Sequence, residues 1–122
     1  MWNAAPSENF TGDVWFGELS RSDDPAGLFA LAVQFTPGAR TDWHSHPGGQ
    51  TLYVVSGSGY VANEEGDRVS ITPGDTVTIP PGELHWHGAG SSAPMVHLSL
   101  TTGGATEWSG RNVNNEEYRG RG

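Results

Sequence analysis

His44 and His46 stand one residue apart within residues 38–57, GARTDWHSHPGGQTLYVVSG, and Gln50 follows four residues after His46. In an extended segment, residues i and i+2 project to the same face. One stretch of backbone can therefore aim both imidazoles at a single point. His85 and His87 repeat this spacing, and His97 completes the five histidines of the chain. Neutral imidazole is a common metal ligand near neutral pH. With Cys 0 there is no thiolate ligand and no cysteine nucleophile, and a donor set of imidazole and oxygen suits a first-row divalent ion. Taken singly, each histidine could instead be a hydrogen-bonded core residue. The paired spacing favours a metal site.

Short strands must position these side chains. Apolar runs of strand length recur at residues 13–19, 27–35, 50–55, 60–63, 68–71, 76–79 and 95–100, and the histidines occupy residues 41–46, 84–88 and 95–100. Gly and Pro clusters such as Pro47-Gly48-Gly49, Pro73-Gly74-Asp75 and Pro80-Pro81-Gly82 separate them. Regular short strands with turn punctuation and no amphipathic helix predict an all-β sandwich or barrel. On the last strand Met95, His97 and Ser99 alternate with Val96, Leu98 and Leu100. A polar face on an apolar strand needs a cavity, a partner or water. The expected organisation is an N-terminal arm over residues 1–12, a barrel over 13–102, and a tail over 103–122 that packs as a short helix around 114–118 or frays.

The composition narrows the function. A chain of 122 residues is one domain. Its formal net charge of −8, with no lysine, disfavours nucleic acid and anionic membranes as partners. The first residues lack a basic region followed by an apolar one, and no apolar run approaches the length of a membrane span. These features suit a cytoplasmic protein acting on a small-molecule substrate.

Two patterns carry a family resemblance. Gly38-x5-His44-x-His46-x3-Gln50-x6-Gly57 and Gly74-x5-Pro80-x-Gly82-x2-His85-x3-Ala89 resemble the two motifs of the cupin superfamily, with residues 58–73 between them. The family patterns have Glu where Gln50 stands and Asn where Ala89 stands. The resemblance implies a double-stranded β-helix, or jelly roll, with metal ligands His44, His46, Gln50 and His85. A Gln ligand leaves the 2+ charge of the ion without a carboxylate beside it. That favours an anionic exogenous ligand or a developing oxyanion. It also removes a base from the ligand set, leaving His87 and His97 as candidates.

A narrower resemblance rests on ARTDWHSHPGGQTL, IPPGELHWHGA, Phe10-Thr11-Gly12, Trp108 and Glu116-Glu117-Tyr118. These are similar to a group of small bacterial cupins that includes manganese-dependent hydroxynitrile lyases. It implies Mn2+ as the ion, with Fe2+, Ni2+ or Zn2+ compatible with the donor types. It also implies catalytic roles for Thr41, His87 and His97, with His97 the leading base. An Fe(II)-dependent dioxygenase and a non-catalytic module binding metal or a small ligand are the other readings. Trp43 and Trp86 alternate with the ligands and are expected to pack outward into core or interface. Cupins often pair through their barrels, so a homodimer or homotetramer is expected.

Overall fold

The computed structural model describes residues 2–120. The described residues form thirteen strands, one short α-helix and a 3₁₀ turn at Ser7–Asn9. In order the strands are β1 (Asn3–Ala4), β2 (Phe10–Thr11), β3 (Val14–Arg21), β4 (Phe29–Phe35), β5 (Arg40–Thr41), β6 (His44–Ser45), β7 (Gln50–Gly57), β8 (Gly59–Asn63), β9 (Arg68–Ile71), β10 (Thr76–Ile79), β11 (His85–Ala89), β12 (Met95–Thr101) and β13 (Glu107–Trp108). The helix α1 is Asn115–Arg119. Among the described residues no helix is long and apolar enough to cross a membrane.

The strands build two sheets. One runs β1-β3-β4-β12-β7-β10. The other runs β13-β6-β11-β5-β2, with β8 also on β11 and β9 on β8. Among the described residues the strand pairings are all antiparallel. β12 shows why these segments are strands: Met95, His97, Ser99 and Thr101 are buried while the intervening Val96, Leu98 and Leu100 are only partly covered. The main core holds Phe10, Val33, Phe35, Leu52, Val54 and Met95 among others. Burying each such side chain contributes about 1.5–3 kcal/mol. Gly57 ends β7 at φ 75°, where a side chain would collide with the Pro94 carbonyl.

Segments near both ends of the described residues add strands to the sheets. Within the N-terminal arm expected over residues 1–12, Asn3 pairs with Phe16 and Ala4 with Trp15, while Phe10 pairs with Thr41. Two-residue edge strands carry too little periodicity to be seen without their partners. At the other end β13 adds to β6, with Trp108 opposite His44. Helix α1 starts at a capping box in which Asn114 and Glu117 satisfy each other's backbone N–H groups. Tyr118 Oη donates to the Ala89 carbonyl at 2.6 Å, and the Arg40 guanidinium donates to the Val113 carbonyl at 2.7 Å. The tail thereby covers Trp43, Trp86 and Ala62 in a second apolar cluster with Val113 and Tyr118.

Candidate metal centre

The histidine segment is not one strand. Arg40–Thr41 and His44–Ser45 are separate two-residue strands, and His46 lies just beyond the second. Its position is fixed by the backbone: the His46 carbonyl accepts from Gly49 N at 3.1 Å and Gly82 N at 3.0 Å. His44 and His85 face each other directly across β6 and β11. His87 follows on β11, while Gln50 starts β7 and His97 sits in β12.

The structure brings all the sequence-predicted site residues to one end of the barrel interior, each buried. The His44 ring centroid lies 4.3 Å from His85, 5.0 Å from His46 and 5.1 Å from His87. Ligand atoms of His44, His85 and His87 fall within 4.8 Å of one another, a triad able to hold a metal ion. Gln50 reaches the same point, with Oε1 2.9 Å from His85 Nε2.

Backbone carbonyls set the tautomers. A carbonyl only accepts, so the contacts of His44 Nδ1 with Asp42 O (2.8 Å) and His85 Nδ1 with Glu83 O (2.9 Å) are N–H donations. In the neutral rings, both Nε2 atoms then carry lone pairs. His85 Nε2 therefore faces Gln50 Oε1 as acceptor against acceptor. His46 Nε2 is buried with no hydrogen-bond partner. Such a convergence of lone pairs is unfavourable by itself and fits a shared cation, as does the all-neutral donor set.

Burial keeps these rings neutral. His46 is lowered to about 4, by burial first and the neighbouring His85 second, with the Gln50 side chain pulling the other way. His44 and His87 are held well below the usual imidazole value, by burial and then by other rings of the cluster. Burial likewise lowers His85, and it takes His97 to about 4.

A cavity of about 50 Å³ opens onto this cluster. Its polar wall includes Thr41, His44, His46, Gln50 and His87, and its mouth is apolar, with Phe10, Phe16, Leu31 and Trp108. Thr41 Oγ1 accepts from His87 N at 3.2 Å, leaving its O–H free to donate. His97 does not line the cavity. It stands behind His87, Nε2 to Nδ1 at 3.0 Å, with Phe35 against both rings. A larger cavity of about 270 Å³ lies by α1 and is lined by Trp43, Trp86, Arg68 and acidic side chains, with no histidine.

Sequence reasoning missed several contributors. Trp108 packs on His44 with centroids 4.9 Å apart, and Thr106 Oγ1 lies 3.4 Å from His46 Nδ1. Ser99 Oγ accepts from Gln50 Nε2 at 2.8 Å. The alternation of Ser99 with His97 was the one available signal. The Asp42 and Glu83 carbonyls have none.

The cupin domain model matches residues 31–101, more than half of the chain. The chain belongs to the cupin family. Its barrel is thus the cupin fold, and the histidine cluster occupies the interior that the two motifs bring together. The chain is 44% identical to an (R)-mandelonitrile lyase from Granulicella tundricola, over 93% of this cupin and 88% of that protein. A crystal structure of a cupin-like protein from Thermotoga maritima superposes with a TM-score of 0.90 at 40% identity, covering 95% of this chain and 90% of that one. A shorter match, 31% identical over 58% of the chain, is to a gentisate 1,2-dioxygenase from Aquipseudomonas alcaligenes, of which it covers 20%.

Proposed function

We propose that this cupin is a metal-dependent lyase that cleaves or forms the C–C bond of cyanohydrins. The observation that carries the reading is the 44% identity, along nearly the whole chain, with an (R)-mandelonitrile lyase. The site chemistry agrees with it. His44, His46, Gln50 and His85 hold a divalent ion, Mn2+, in this reading. His46 is preferred to His87 as the third histidine because the first cupin motif joins it to His44 and Gln50, and because the Gln50 side chain acts on its ring. Nε2 of both rings is buried without a hydrogen-bond partner. When bound, the ion supplies Lewis-acid stabilisation of negative charge on oxygen or cyanide.

The proton chemistry belongs to the chain. His97 was the leading base in the sequence reading, but the ring facing the cavity is His87, so the roles are exchanged. With His87 Nδ1–H donating to His97 Nε2, His87 Nε2 is left with its lone pair. That atom accepts the cyanohydrin hydroxyl proton as the C–C electron pair leaves with cyanide. The carbonyl product forms, and the proton passes from His87 to cyanide to give HCN. The Thr41 O–H donates to the substrate oxygen and holds it in place. The apolar mouth at Phe10, Phe16, Leu31 and Trp108 excludes water from the reacting oxygen.

The test is cyanide release from mandelonitrile and an aliphatic cyanohydrin. Chelator-treated protein should be inactive and Mn2+ should restore activity. Failure of Mn2+-loaded protein to release cyanide above background would sink the lyase reading. The match to a gentisate 1,2-dioxygenase favours a second reading, an Fe(II)-dependent dioxygenase. Substrate-dependent O₂ uptake with no cyanide release would select it.

A further inference from the structure

We propose that Ser99 is a positioning residue that sets which end of the Gln50 amide faces the metal. The inference rests on reading the histidine cluster as a metal site. A primary amide has two unlike ends, a carbonyl oxygen that can donate electrons to a cation and an NH₂ that cannot. The two differ only by a half-turn about the last side-chain bond. A carboxylate at this position would have no wrong end, so the choice of Gln creates a need for orientation.

The strand register supplies the answer. Thr101 lies opposite Gln50 and Ser99 opposite Leu52 across β12 and β7. Ser99 is thus the diagonal inward neighbour of Gln50, within reach of a side chain of that length. Gln50 Nε2 donates to Ser99 Oγ at 2.8 Å, and Oε1 stands 2.9 Å from His85 Nε2. Gln50 and Ser99 are 5% and 7% exposed, so water is a poor substitute for the hydroxyl. Without it, oxygen toward the cation leaves a buried amide N–H unpaired, and the flipped amide turns an N–H toward the cation.

The experiment titrates Mn2+ into metal-free protein by calorimetry, with no substrate present. The proteins are the unmodified chain, Ser99→Ala, Ser99→Thr, Gln50→Ala and the Ser99→Ala/Gln50→Ala double variant. Ser99→Ala should weaken Mn2+ binding by about 10–100-fold. Ser99→Thr, which keeps the hydroxyl, should stay within about threefold. In the Gln50→Ala background, removing the hydroxyl should change binding by less than about twofold, because there is no amide left to orient. An equal loss in both backgrounds would overturn the proposal, since Ser99 would then act on the site without Gln50. So would unchanged binding in Ser99→Ala, or an equal loss in Ser99→Thr. Absence of Mn2+ binding by the unmodified chain would overturn the metal reading itself, and is seen without any variant.

Discussion

His87 Nδ1 and His97 Nε2 lie 3.0 Å apart, and neither ring is more than 3% exposed. Among the described residues no acidic side chain is hydrogen-bonded to either ring. Among the described residues the His87 ring is hydrogen-bonded to another imidazole, while its backbone N–H donates to Thr41 Oγ1. His87 lines the cavity and His97 does not, so in the proposed reaction the first ring would carry the proton and the second would hold its tautomer.

Replacing the cavity-facing ring should therefore cost more than replacing the one behind it. His87→Ala should lower kcat for cyanohydrin cleavage by about 10²–10⁴-fold, the usual worth of a positioned base. His97→Ala should cost less, about tenfold to a hundredfold, through loss of the correct tautomer. Mn2+ content should survive in both. A larger loss in His97→Ala than in His87→Ala would return the base role to His97.

The histidine cluster should also make the metal-free protein sensitive to acid. His46 and His97 are held to about 4 in the folded chain, against about 6.5 when unfolded. Between these values the unfolded chain binds more protons, so stability rises with pH. The contribution is complete above about pH 6.5 and is lost as pH falls toward 4. A single ring depressed this far withdraws on the order of 3 kcal/mol by pH 4. Denaturation midpoints of chelator-treated protein should fall steadily from about pH 7 to pH 5. A flat profile over that interval would contradict the buried, neutral state of these rings.

The tail is anchored by a bond that a small change can remove. Tyr118→Phe deletes the donor to the Ala89 carbonyl and should destabilise the fold by about 1–3 kcal/mol in denaturant titrations. The substitution lies at the far side of β11 from the cavity, so Mn2+ affinity should be unchanged. An unaltered midpoint would mean that the tail contributes little to holding the barrel together.

Much of the fold was legible in the sequence because strand periodicity and Gly/Pro turns are local signals. The β-branched run Thr76–Ile79 is a strand with the bounds that its composition predicts. The grouping of His44, His46 and His85 was legible for the same reason, through i, i+2 spacing and the two motifs. The order of His87 and His97 was not, because depth within a barrel depends on which strands become neighbours. Ser99 was legible only as part of the polar face it shares with His97, and the contacts of Ser99 with Gln50 and of Trp108 with His44 were hidden likewise, because each is made by cross-strand register. The carbonyls of Asp42 and Glu83 fix the tautomers of His44 and His85, yet any residue type could supply them.

Trp108 closes over His44 from a strand that lies 64 positions later in the chain. Among the described strands β13 pairs with β6, and it is two residues long. Fraying of that short strand would uncover His44 while the pairing of His44 with His85 across β6 and β11 stays in place. Access to the cluster can therefore change without any change in the barrel that holds it.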